Sequence, residues 1–181
     1  MRPMPEDPGA PAPWRTLQEH LAGYFAARAR GLLASEFVLS SRSGEEFGRL
    51  HIRGPEGAQF EGGNAKATVE RTARSRYRML TGDAETLVAE PAGFSGVPKV
   101  RYGDRLYETR FDLLRNTAVA RSPGGEVAAR IAGGLTNLRY EAVFDEEDEG
   151  SLAVAVFLLY RVVALRRRAF LAGVRGGEAS Q

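Results

Sequence analysis

The sequence predicts a mainly β protein with helices. An antiparallel sheet closes into a β-barrel around an apolar C-terminal helix, and an amphipathic helix precedes it. Three observations carry that prediction. Short runs with a period of two, punctuated by Gly, Pro, Asn or Asp, follow one another from Glu36 to Phe144, as hairpin-linked strands do. The stretch Leu152 to Leu165 reads LAVAVFLLYRVVAL, apolar on nearly every face, with Arg161 its single charge. Such a helix needs walls on all sides, and half-apolar strands need a cover for their dry face; a sheet curled around the helix satisfies both and removes exposed strand edges.

In chain order, Met1 to Pro13 is rich in Pro and lacks the apolar core of a signal peptide, so it reads as a disordered tail on a cytoplasmic chain. Over residues 14–34, Trp14, Leu17, Leu21, Tyr24, Phe25, Leu32 and Leu33 recur mostly at spacings of three and four. One amphipathic helix is expected there, with Arg15, Arg28 and Arg30 on its other face. The barrel is expected over 35–170. Its strands are Glu36 to Ser41, Phe47 to Arg53, Lys66 to Arg71, Arg76 to Leu80, Thr86 to Glu90, Lys99 to Tyr102, Leu106 to Phe111, Thr117 to Arg121, Glu126 to Ile131 and Leu138 to Phe144. The clearest alternation places Leu138, Tyr140, Ala142 and Phe144 on one face and Asn137, Arg139 and Glu141 on the other. The central helix covers 151–168: Ser151 can cap its start, acids precede it, and Arg166 to Arg168 follow, matching the helix dipole. Its apolar run is about 21 Å long at 1.5 Å per residue, short of a bilayer core of about 30 Å, so the barrel interior is the better home for it. Arg161 must then lie near a barrel mouth or pair with a carboxylate. Residues 171–181 read as a second disordered tail.

With 25 Lys and Arg against 23 Asp and Glu, the net charge is +2, too small to draw the whole chain to nucleic acid or to an anionic membrane, and no nucleic-acid partner is expected. Any basic surface has to be local. The chain has no Cys, which excludes disulfides, thiolate zinc sites, iron–sulfur clusters and cysteine nucleophiles. Its only histidines are His20 and His51, and no cofactor or metal site is expected.

The segments RYRMLTGDAETLVAEPAG, KVRYGDRLYETRFDLLRNTAVARSPGGEVAARIA and NLRYEAVFDEEDEGSLAVAVFLLYRVVAL give a succession of strands, the run Glu126 to Ile131, an aromatic strand, an acidic break and a closing apolar helix. In this order of elements, over Glu36 to Leu165, the chain resembles the tubby C-terminal-like superfamily, most closely its LURP-one-related, phospholipid scramblase-like branch. The resemblance implies a twelve-stranded barrel enclosing a hydrophobic C-terminal helix. It also implies a non-enzymatic binding or scaffold protein, since tubby proteins bind phosphoinositide headgroups through basic barrel residues and the related scramblases act at membranes. The partners expected on that ground are an anionic phospholipid headgroup or another protein, with peripheral membrane contact. An enzyme whose site is assembled from dispersed residues, and a tail-anchored membrane protein, are the alternatives.

The candidate anion site is Arg71, Arg74, Arg76 and Arg78. The last three alternate with Ser75, Tyr77 and Met79, which would project their guanidinium forks from one strand face toward phosphate oxygens. Other motifs fall short. Asp145, Glu147, Glu149 and Gly150 match the start of a calcium loop, but Val156 stands where its closing Glu belongs. Gly57 to Gly63 has no GK[ST] continuation and reads as a hairpin or bulge. Ser95, in Gly-Phe-Ser-Gly-Val, misses the nucleophile-elbow pattern and reads as loop. His51 reads as a strand histidine, and Tyr102, Tyr107 and Tyr140 as core.

Overall fold

The computed structural model describes residues 12–31, 35–93 and 96–177. Helix α1 (Ala12–Leu21) leads into β1 (Tyr24–Arg30), β2 (Glu36–Ser40), β3 (Glu46–Ile52), a 3-10 turn (Gly54–Glu56), β4 (Gly57–Gly62), β5 (Ala65–Ala73), β6 (Arg76–Thr81), β7 (Ala84–Glu90), β8 (Lys99–Tyr102), β9 (Arg105–Asp112), β10 (Thr117–Arg121), β11 (Val127–Gly133) and β12 (Arg139–Phe144), and helix α2 (Ser151–Gly177) closes the described chain. Among the described residues, twelve antiparallel strands form a closed barrel in which each pairs with its sequence neighbours and β1 closes the ring between β12 and β2.

Closure depends on a strand the periodicity assigns to a helix. The expected helix over 14–34 ends at Leu21, because Ala22 (φ 46°) and Gly23 (φ 74°) turn the chain through left-handed backbone. A β-carbon on Gly23 would also meet the Phe144 carbonyl at 3.0 Å. From Tyr24 the period becomes two: Phe25 and Ala27 point into the core, while Arg28 and Arg30 face out. Leu32 and Leu33 lie outside the described residues, as do Ser95 and Met1 to Pro11. A second correction falls on Gly57 to Gly63: Gly57–Gly62 forms strand β4, with Ala58 and Phe60 buried, and Gly63 lies in the turn to β5. Gly57 lets the β5 backbone approach closely, since a β-carbon there would lie 2.0 Å from the Val69 carbonyl oxygen, and Gly62 leaves room for the Phe60 ring, which a β-carbon would meet at 2.7 Å.

Helix α2 runs through the barrel. Leu152 to Tyr160, Val162 and Val163 are buried, against β10, β11 and β12 among others. Past the mouth the helix continues beyond the expected 168 and makes helix of residues 171–177, where a disordered tail is expected from sequence. Helix α1 lies across the opposite end and plugs it. Trp14 is fully buried, stacks on Phe60 with ring centroids 5.1 Å apart and donates its indole N–H to Thr81 Oγ1 at 2.8 Å. We call these the plugged end and the exit mouth.

At the plugged end one carboxylate fixes where α2 begins. Asp148 Oδ1 accepts from Tyr107 Oη at 2.7 Å, from Arg105 Nη1 at 2.9 Å and from the Gly150 amide at 3.0 Å. Gly150 then accepts the first helical bond, from the Val154 amide, so the cap is Gly150 and Ser151 is already helical. Gln18 of α1 donates its side-chain amide to the carbonyls of Glu146 and Asp148, both at 2.9 Å, tying the plug to the same loop.

Burial pushes the Tyr102 phenol up to about 12, and burial followed by the bond to Asp148 raises Tyr107. Both phenols are held neutral in the fold, so their contribution is complete below an ordinary tyrosine value of 10.0 and is lost as pH rises through the folded values. Denaturation midpoints should therefore decline between pH 10 and about 12, and Tyr102→Phe should flatten part of that decline; a midpoint indifferent to pH in that window would contradict it.

Candidate anion-binding surface

The predicted arginine site divides when folded. Arg71 lies two residues before the end of β5, Arg74 lies in the β5–β6 turn with Ser75 (φ 60°), and Arg76 and Arg78 lie on β6. Register places Arg78 opposite Glu70, and the pair closes at 3.0 Å. Arg71 reaches Glu56 of the 3-10 turn at 3.3 Å. Two of the four guanidiniums are thus occupied by carboxylates. Arg74 and Arg76 are exposed on the rim of the exit mouth, and the three-arginine strand face expected from alternation does not form because the turn falls at Arg74.

Around that rim a larger pattern emerges. In an up-and-down barrel successive turns open to alternate ends, so every second turn belongs to the exit mouth. Those turns and the strand ends beside them carry Arg30, Arg53, Arg74, Arg76, Lys99, Arg115 and Arg139, against Glu36, Glu56, Glu90 and Asp112. The turns, the strand ends beside them and the loop at the plugged end carry Glu45, Glu46, Asp83, Asp104, Glu126 and the run Asp145 to Glu149, against Arg42, Arg105 and Arg121. A chain of net charge +2 is therefore sorted into an acidic pole and a basic pole. Summed fields of this kind steer charged ligands even when the net charge is small.

Helix α2 adds its own cations at the basic pole. Arg161 lies over the Tyr77 ring, 4.2 Å from its centroid, and donates to Tyr77 Oη at 2.8 Å. It sits at the mouth, as burial requires, but its partner is aromatic and not a carboxylate. Arg166 donates to Asn137 Oδ1 at 2.9 Å and to the Leu113 carbonyl. Asn116 donates to Asn137 Oδ1 at 3.0 Å and to the Gly134 carbonyl at 2.8 Å, so the β9–β10 and β11–β12 turns are stitched to each other and to the helix. Arg167 is half-buried, its Nη2 is shielded and without a hydrogen-bond partner, and desolvation lowers its pKa.

Other places were legible to different degrees. His51 is exposed on β3, and Tyr102, Tyr107 and Tyr140 are buried, as read from sequence. The acids Asp145 to Glu149 lead into α2. No group of three or more His, Asp or Glu among the described residues could hold a metal ion. A groove of about 580 Å³ beside α1 is lined by Leu17, His20, Glu45, Glu46, Phe47 and Asn64, and it lies at the acidic end, away from every predicted site residue. No helix among the described residues is long and apolar enough to cross a membrane.

No family model matches the chain, and no curated protein matches it. Among solved structures, the crystal structure of a protein from Arabidopsis thaliana is similar: the match covers 77% of this chain and 90% of that one, with a TM-score of 0.53 at 13% identity. At that identity the likeness is one of fold.

Proposed function

We propose that this protein is a non-enzymatic binding module that engages anionic phospholipid headgroups, at the periphery of a membrane, through the basic rim of its exit mouth. The observation that carries this reading is the sorting of cations to one pole, with Arg74, Arg76 and Arg139 exposed there. The resemblance to tubby-like barrels points the same way. The binding face moves accordingly, from a strand side centred on Arg71 and Arg78, whose charges are taken by Glu56 and Glu70, to the end of the barrel.

Cosedimentation with phosphatidylcholine vesicles, with and without about a third phosphatidylserine, tests it. Each rim arginine near an anionic surface is worth about 1 kcal/mol, so Arg74→Glu with Arg76→Glu, and separately Arg115→Glu with Arg139→Glu, should each weaken binding about tenfold or more. Arg121→Glu at the acidic pole should leave it unchanged. Binding should also fall steeply as salt rises from about 0.1 to about 0.5 M. Equal binding to neutral vesicles, or indifference to both rim pairs, would remove the proposal.

A further inference from the structure

The basic pole also carries apolar side chains where none are needed for folding. Leu114 is 97% exposed at the tip of the β9–β10 turn and Leu135 is 98% exposed at the tip of the β11–β12 turn. One helical turn beyond Arg166, about 6 Å along the axis, Phe170 is 71% exposed and Leu171 61% exposed. Tight turns ordinarily carry Gly, Asn, Asp or Ser at their tips; both leucines here stand in full water.

These residues share one support. Asn116 and Arg166 bind the two turns to each other and to α2, so both leucine tips and the start of the emergent helix are held on a single fixed platform. Arg115 and Arg139 flank the leucines, and Arg166 to Arg168 precede Phe170. Apolar tips ringed by guanidinium are built for a boundary with hydrocarbon below and phosphate at the level of the cations. A second copy set mouth to mouth would bring arginines against arginines, whereas an anionic lipid surface complements them.

We infer that Leu114, Leu135, Phe170 and Leu171 insert into the acyl boundary of an anionic bilayer, so that the exit mouth faces the membrane and α2 stands roughly along the bilayer normal. This inference rests on the headgroup reading above and adds depth and orientation to it. Insertion contributes an apolar term that salt does not screen, alongside the screened attraction of the rim.

The absence of Cys allows a single probe site to be placed anywhere in the full chain. Leu135→Cys carrying an environment-sensitive fluorophore should brighten and shift to the blue on phosphatidylcholine–phosphatidylserine vesicles, and brominated acyl chains should quench it. The same label at Val143→Cys, on the outer barrel wall at 54% exposure, should respond to neither. Leu114→Ser with Leu135→Ser should weaken vesicle binding about tenfold or more while its salt dependence stays that of the parent protein. If the protein sediments with anionic vesicles but the Leu135 probe stays in water, insertion falls and headgroup binding stands. No sedimentation with anionic vesicles removes both. A blue shift that appears without vesicles as protein concentration rises shows a second copy covering the patch, and overturns the inference.

Discussion

Phe157→Ala is expected to cost about 3 to 5 kcal/mol of unfolding free energy, a large part of the 5 to 15 kcal/mol that holds a domain of this size together. Phe157 is buried in α2, edge-on to Tyr77 at 6.1 Å and to Tyr160 at 6.4 Å between ring centroids. Tyr77 in turn seats the Arg161 guanidinium. Truncation leaves a cavity inside a closed wall of strands, which cannot collapse onto it as an open sheet could, and it loosens the ring on which the only charge of the buried run rests. Urea denaturation read by tryptophan fluorescence measures the loss, because Trp14 reports the opposite end of the same core. Phe170→Ala, on the part of α2 that has left the barrel, should change the midpoint little.

Gly57→Ala should be of similar size, about 3 kcal/mol or more, by a different route. The new β-carbon would lie 2.0 Å from the Val69 carbonyl oxygen and 3.1 Å from its carbon, so backbone must move against backbone across the β4–β5 ladder. The φ of Gly57 is extended, and the cost is therefore one of space and not of dihedral strain. Gly82→Ala is the counterpart: it stands in open space at φ 60°, where the left-handed backbone alone should cost about 1 kcal/mol. If Gly57→Ala unfolds no more readily than Gly82→Ala, the close approach of β4 and β5 is wrong.

The barrel was legible because its pattern is redundant. The alternation from Tyr140 through Phe144 and the unbroken apolar run of α2 each demand the other, and the structure joins them. What stayed hidden did so for local reasons. Strand β1 begins three residues after α1 ends, so Leu21, Tyr24 and Phe25 keep helical spacing across a break made by Ala22 and Gly23. Strand β4 is bounded by Gly57 and Gly62, chosen for close approach and poor in the branched side chains that mark a strand. The ion pairs of the arginine group were hidden by register: which carboxylates face Arg71 and Arg78 depends on pairings between strands, and a single run of residues does not contain them. The two poles, by contrast, could have been found. Once the turns are known to alternate ends, assigning each turn's charges to its end separates Glu45, Asp83, Asp104 and Glu126 from Arg53, Arg74, Arg115 and Arg139.

The enclosure of α2 by the strands is the claim on which the rest depends, since a helix held inside the barrel cannot itself meet a membrane, and the contact proposed here falls to the rim and the exit tips. Amide hydrogen exchange of the intact chain in detergent-free buffer measures it directly. Amides from Val154 to Val163 should be among the slowest in the molecule, opening only with global unfolding, and anionic vesicles should leave their rates unchanged. Exchange of that segment within seconds, or protection that appears only when lipid or detergent is added, would contradict the account.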